Sequence, residues 1–336
     1  MNGPLLISSV NWLGDAVMTL PALTAYRTSY PDSPVTLLIK PAMTSFWSLV
    51  DPGLDQVVME AGLIGQVRSA LRLRQRRYVR AFILPNSFRS AWIPFLAEIP
   101  LRRGVRGHFR SIMFTHVVDL PPVRMHQAYE YFHIMGLEMP RDPLLLPRLH
   151  IPAHAVTRAS EWMRGSNHWI GMIPGAARGP SKRWPAESFI DAGRQLIHRT
   201  NASLLLLGTV AESMLCGQIA TGIGPRALNL AGKTTLIDLA AVLGRCRVVV
   251  ANDSGGMHLA AAVGCRLVAL FGITDPVRTG PLGNGHVVIQ PPGVQVDRKI
   301  ARQSVQARDV LHRIHPDQVV GAVLAHLQSR DANFLG

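Results

Sequence analysis

The sequence predicts an α/β protein built as two Rossmann-like halves. Three observations carry the prediction. Short apolar runs alternate with longer helical patterns, the alternation stops and restarts once, and a proline-rich stretch marks the break. In the first half, "PLLISSV", "VTLLIK", "LDQVVM" and "YVRAFIL" read as strands, with helical stretches between them, notably from Asp15 to Tyr30. Near-continuous apolar runs are what parallel strands show when helices cover both faces of a sheet. "LEMPRDPLLLPRLHIP", Leu137 to Pro152, has four prolines and little periodicity and reads as the linker. The pattern resumes with "HWIGMIP", "ASLLLLG", "RCRVVVA" and "CRLVALFG". "PDQVVGAVLAHLQ", Pro316 to Gln328, opens on Pro and Asp and reads as a final helix. The expected organisation is residues 1–150, residues 151–315, and a C-terminal piece 316–336, with a cleft between the two halves.

At 336 residues and 48% hydrophobic, the chain is long enough to bury two cores. Lys and Arg exceed Asp and Glu by 14, which favours an anionic partner: nucleic acid, an acidic membrane surface or a phosphorylated substrate. Cys216, Cys246 and Cys265 form no C-x-x-C pair, so neither a zinc site nor a disulfide framework is indicated. Asp15 interrupts the N-terminal apolar stretch where a signal sequence would stay apolar, and no apolar run reaches the roughly 18 residues of a spanning helix. A cytoplasmic protein is expected, touching a membrane from that side.

Chemistry concentrates at strand-to-helix junctions. "ANDSGGMHLAAAVG" passes from an apolar strand through Asp253, Ser254, Gly255 and Gly256 into an apolar helix. Glycines allow close approach to the backbone, and the free N–H groups of a helix start attract anions, so a phosphate or diphosphate is a natural guest. Simple capping by Asp253 or Ser254 explains the same residues. "PGAARGPSKRWP" sets Arg178, Lys182 and Arg183 in another such junction, and "LAGKTTLIDLA" brings Gly232, Lys233 and Thr234. No G-x-x-x-x-G-K-[ST] run exists, which excludes a P-loop ATPase, and no strict G-x-G-x-x-G follows the first strand, which weighs against a dehydrogenase.

Four motifs, "NWLGDAVMTLPAL", "PGAARGPSKRWP", "LAGKTTLIDLAAVL" and "ANDSGGMHLAAAVGCRLVALFG", together resemble the family 9 glycosyltransferases, the bacterial heptosyltransferases of lipopolysaccharide core synthesis. "GPSKRWP" is most similar to the heptosyltransferase II branch, although "GHVVIQPPGVQVDRKIARQSVQARDV", residues 286–311, lacks the cysteines typical there. The resemblance implies a GT-B fold, with acceptor on the N-terminal half and nucleotide sugar on the C-terminal half. It implies ADP-L-glycero-D-manno-heptose as donor, inversion at the anomeric carbon, no metal, no separate cofactor, and a last helix that packs back on the first half.

It also implies roles. Asp15 is the matching catalytic base, with a plain helix cap as the competing role. A carboxylate at a helix N-terminus is stabilised in its charged form, so base chemistry there requires desolvation. Lys182 would meet the diphosphate, unless it is an ordinary solvated lysine. Ser254, Gly255, Gly256 and Arg178 would join it, Gly232, Lys233 and Thr234 would line the nucleotide, and Asp253 would orient the loop or meet the sugar. His258, one turn after Ser254, is either a site residue or a structural one.

Arg68, Arg72, Arg76, Arg103, Arg106 and Arg110 lie in two basic runs of the first half. They form a candidate patch for a phosphorylated lipopolysaccharide core acceptor and an anionic membrane, or a merely solvated face. Transfer to a protein or another surface glycan is the near alternative. A nucleic-acid-binding role is not expected, because no RRM, KH or helix-turn-helix signature appears and few aromatics interleave with the basic runs.

Overall fold

The computed structural model describes residues 3–107, 109–141, 144–177, 179–294 and 305–332. The chain divides into two compact units, Met1–His150 and Ile151–Gly336. The first runs β1 (Leu5–Ser8), α1 (Leu13–Ser29), β2 (Val35–Ile39), α2 (Thr44–Val50), β3 (Asp55–Val58), α3 (Gly62–Gln75), β4 (Arg80–Ile83), α4 (Phe88–Leu96), β5 (Leu101–Val105), β6 (His116–Val118) and α5 (Gln127–Met135). Its strands pair in parallel in the order β3-β2-β1-β4-β5-β6. β1 and β4 read BBBB in burial, as strands covered on both faces should. On one face Leu6, Leu38, Ala81 and Ile83 meet Ala70 and Leu73 of α3, Ala91 of α4, and Met113 with Phe114 of the β5–β6 connection.

The second unit runs α6 (Ala153–Trp162), β7 (Trp169–Ile173), α7 (Ala186–Thr200), β8 (Ser203–Leu206), α8 (Ser213–Ile223), β9 (Ala227–Asn229), α9 (Leu236–Arg245), β10 (Val248–Asn252), α10 (Gly255–Ala262), β11 (Arg266–Leu270), α11 (Pro276–Thr279), β12 (Val287–Ile289), α12 (Val305–His312) and α13 (Pro316–Ala332). Its parallel sheet has the order β12-β11-β10-β7-β8-β9. Counted from the first strand of each unit, both sheets follow the doubly wound order 3-2-1-4-5-6. That order reverses direction between β1 and β4 in one unit and between β7 and β10 in the other, and ligands bind beyond the strand ends at such a switch point.

The last helix does not stand apart from the second unit: Val319, Val320 and Val323 of α13 are fully buried in the core formed by β7, β8, β10, β11 and α7. The proline-rich stretch is also less free than a linker, since Leu144 and Leu149 are buried and the His150 N–H donates to Leu49 at 2.6 Å. Among the described residues, no helix is long and apolar enough to cross a membrane.

Candidate active site

The switch point of the second unit is a bonded network. Asn252, fully buried at the end of β10, donates through Nδ2 to the Pro174 carbonyl beyond β7 at 2.7 Å. Its Oδ1 accepts from the Trp184 N–H at 3.1 Å. Trp184 is itself pinned, with its indole N–H on the Ile314 carbonyl at 3.0 Å and its ring edge-on to Phe189. These anchors hold the intervening loop, and with it Lys182, in a short helical turn, Pro180–Lys182.

Lys182 is not a solvated lysine. It is 9% exposed and its Nζ pairs with Oδ2 of Asp253, which is 6% exposed. The same Oδ2 accepts from the Thr274 hydroxyl at 2.6 Å, and the Asp253 N–H donates to Leu270 at 3.1 Å. Gln290, just past β12, steadies that side by donating to the Gly272 and Thr274 carbonyls at 2.7 and 2.9 Å. Four strand ends are thereby tied around one buried ion pair. A buried pair needs such surroundings, because desolvation offsets much of the attraction.

Two hydroxyls beside the pair lack partners. Ser254 stands at the N-cap position of α10, yet its side chain makes no capping bond and its buried Oγ is unpartnered. Asp253 does not cap the helix either, being committed to Lys182 and Thr274. The buried Oγ of Ser181, next to Lys182, is unpartnered too. Each such hydroxyl costs about 1–3 kcal/mol if nothing bonds to it, so a polar ligand at the start of α10 has two donors waiting. Gly256 has a packing reason as well: a β-carbon there would come within 3.0 Å of Ile173 Cδ1, pushing α10 off the sheet. His258 is buried in α10, its N–H directed to the Ser254 carbonyl at 3.4 Å.

The nucleotide-side candidates lie beyond β9. Gly232 and Lys233 are exposed and Thr234 is half-buried, with the Gly232 N–H on the Gly208 carbonyl at 3.0 Å. Between that loop and the Pro174 loop stands Glu212, which the sequence reading passed over. Its carboxylate receives the Thr209 N–H and hydroxyl at 2.8 and 2.9 Å, a capping box. It also lies against Gly175, where a β-carbon would fall 1.9 Å from Oε1. The signal was present: "GTVAE" after the β8 strand is an N-cap threonine followed three residues later by glutamate. Glu212 and burial together push the Cys216 thiol up to about 12, burial being the larger effect. Arg178 lies outside the described residues, as do residues 295–304 of the cysteine-free segment.

In the first unit, Asp15 is half-buried in the first turn of α1, beyond β1 at that sheet's switch point. It is not the helix cap, a position held by Trp12. Gln127 of α5 donates through Nε2 to Asp15 Oδ1 at 3.2 Å and to the Tyr131 hydroxyl at 2.9 Å. Burial, and then the Asp15 charge, push the Tyr131 phenol upward against the opposing Gln127 bond, so it stays protonated.

The arginine patch divides. Arg110 is fully buried, donating to the Pro85 carbonyl and, at 2.6 Å, to the Val105 carbonyl, with its guanidinium over Phe114. Burial lowers it to about 10. Arg103 donates at 3.0 Å to the His133 carbonyl at the end of α5. Arg110 is therefore spent on loop carbonyls rather than offered to a ligand, which corrects its place in the patch, whereas Arg103 is half-buried with its Nε unpartnered. Arg72 pairs with Glu60 at 2.7 Å, with Arg68 at 4.0 Å from the same carboxylate, while Arg76 pairs with Asp55 and Arg106 with Asp119. Among the described residues, no group of three or more His, Cys, Asp or Glu side chains forms a metal site.

Two units in doubly wound order, matched over their whole length by a solved heptosyltransferase, place the chain among the GT-B glycosyltransferases. The profile of glycosyltransferase family 9 (heptosyltransferase) matches residues 67–306, and the chain belongs to that family. It is 30% identical over 305 residues to lipopolysaccharide heptosyltransferase 2 of Salmonella typhimurium, covering 85% of this chain and 87% of the relative. It is likewise 30% identical over 347 residues to lipooligosaccharide heptosyltransferase 2 of Haemophilus ducreyi, covering 94% and 97%. The solved structure of E. coli ADP-heptose lps heptosyltransferase II matches with a TM-score of 0.84 at 28% identity, over 98% of this chain and 100% of that one.

Proposed function

We propose that this protein transfers heptose from ADP-L-glycero-D-manno-heptose to the lipopolysaccharide inner core, with inversion and without a metal. The observation that carries the reading is the buried Lys182–Asp253 pair flanked by the unpartnered hydroxyls of Ser181 and Ser254. It is supported by the names of the relatives, heptosyltransferases of lipopolysaccharide and lipooligosaccharide.

In this reading the second unit takes the donor. The diphosphate sits at the start of α10, where Lys182 supplies positive charge and Ser254 a hydroxyl, while the α10 N-terminus adds backbone donors. Glu212 accepts hydrogen bonds from the ribose hydroxyls, the task an acidic residue beyond the second strand performs in doubly wound nucleotide sites. The first unit takes the acceptor. Asp15 accepts the proton of the acceptor hydroxyl as its oxygen bonds to the anomeric carbon, and the bond from that carbon to the diphosphate breaks. ADP departs with the electron pair, and Lys182 stabilises the charge that grows on it. Asp253 acts through Lys182, fixing its position. A cytoplasmic location with peripheral contact to the inner membrane fits a lipid-linked acceptor.

The test is incubation with ADP-heptose and defined core acceptors, read by mass spectrometry. A product heavier by one heptose, formed with ADP release in the presence of a metal chelator, is expected. No product on any heptose-accepting core, or strict dependence on added metal, contradicts the reading. Thermal shift against ADP, UDP and GDP checks the base separately, ADP alone being expected to stabilise.

A further inference from the structure

Helix α3 is turned inside out. Its sheet-facing side carries Gly65, Gln66, Ser69, Ala70 and Leu73, mostly small or polar residues. Its large aliphatics face solvent: Leu63 is 70% exposed, Ile64 72%, Val67 40% and Leu71 53%. At about 100° per residue these four fall in one stripe roughly 100° wide, and Arg68 and Arg72 follow along one edge of it. A helix shaped only by its own fold would reverse this pattern. The inward side is nonetheless well made, since the Ser69 hydroxyl donates to Gly65 at 2.9 Å and accepts the Glu60 N–H at 3.1 Å. The outward stripe is therefore not an error of docking.

The same side of the sheet adds a second apolar prominence. In the β5–β6 connection, Phe109 is 94% exposed and Ile112 84%. Phe109 reaches that position on a left-handed backbone, φ 55°, which a bulky residue adopts only when surroundings impose it. Charge selects the occupant. Of the eleven arginines within residues 60–119, seven are exposed (Arg68, Arg72, Arg74, Arg76, Arg77, Arg89 and Arg106), against three acidic residues, Glu60, Glu98 and Asp119. A second copy laid face to face would oppose two cationic rims, and the aliphatic stripe of α3, with Phe109 the one aromatic named beside it, is no stacking platform for successive bases. An anionic bilayer satisfies both halves of the pattern, with aliphatics entering the headgroup–acyl boundary and arginines meeting lipid phosphates.

We infer that the α3 face of the first unit, with Phe109 and Ile112, is an interfacial surface that seats this protein on an anionic membrane. The inference rests on the proposed lipid-linked acceptor and deepens it, but its test does not depend on turnover. The full chain is sedimented with vesicles of phosphatidylethanolamine and phosphatidylglycerol, and with phosphatidylcholine alone. The parent is expected to bind the anionic vesicles about tenfold more tightly, less so at high salt. The triple variant Ile64→Gln, Val67→Gln, Leu71→Gln alters only exposed side chains and should melt with the parent. It is expected to lose about tenfold or more of vesicle binding while turning over a soluble, delipidated acceptor at the parent rate.

Equal binding of parent and triple variant, or a parent indifferent to both vesicles, overturns the inference. So does a parent dimer that the triple variant dissolves, which would assign the face to a second copy. Absence of heptose transfer with vesicle binding intact would instead count against the proposed function.

Discussion

The two switch points share a strand order and present opposite chemistry. Beyond β1 stands an acid, Asp15, half-buried and met by the neutral amide of Gln127. Beyond β7 and β10 stands a cation, Lys182, nearly enclosed and paired with a carboxylate that Thr274 also holds. Topology therefore chose the place in both units, while the partner chose the task. A lysine clamped by a carboxylate is held in position, which suits meeting an anion.

The largest expected effect lies on the clamped side. Lys182→Ala leaves Asp253 buried without its cation, so a loss of about 3–5 kcal/mol in urea unfolding is expected, together with loss of the ADP thermal shift. Parent-like stability would mean that the pair is not buried as described, and an unchanged ADP affinity by calorimetry would remove Lys182 from the donor site. Next comes the contrast between buried and exposed arginines of the first unit. Arg110→Ala strands two carbonyls and opens a void, for about 2–4 kcal/mol. Arg106→Ala, half of a solvent-exposed pair with Asp119, should leave the urea midpoint at the parent value. Equal costs would erase the division of the patch drawn above.

The smallest effect is a control within the second unit. Asp238 of α9 is also buried and paired, with Arg158 of α6 at 3.1 Å. Burial pushes its carboxyl up, but the Thr235 hydroxyl and N–H, with Arg158, outweigh this and hold it below its ordinary value of 3.8. A depressed acid stabilises the fold above that ordinary value, and the contribution is lost as pH falls through the lower folded value. Arg158→Gln should therefore move the acid-unfolding midpoint to higher pH by a small amount, with ADP binding unchanged. A loss of ADP binding would show that any buried ion pair in this unit, and not Lys182 in particular, governs the donor site.

Much of this was legible in the sequence, because buried parallel strands are apolar runs and each βα junction carries its own residue types. β1 to β4, β7, β8, β10 and β11 all coincide with such runs. β5, "LRRGV", escaped because its arginines serve other ends: Arg102 donates to the Met113 and Ile99 carbonyls and Arg103 caps α5. β6, β9 and β12 span three residues each, too few to show a period. Lys182, Asp253 and Ser254 were visible as a motif, whereas their bonding to Thr274 and Asn252 joins residues far apart in the chain. The burial of Arg110 was likewise invisible, since a run of arginines reads the same whether solvated or buried.

The division of labour between the two switch points is tested most directly by Asp15→Asn, which keeps the side chain's size and removes its charge. The expected result is a fall in turnover of about 10²- to 10⁴-fold with ADP affinity and melting temperature at parent values. Turnover near the parent rate, or an equal loss of ADP affinity, would contradict the assignment of base to the first unit and donor to the second.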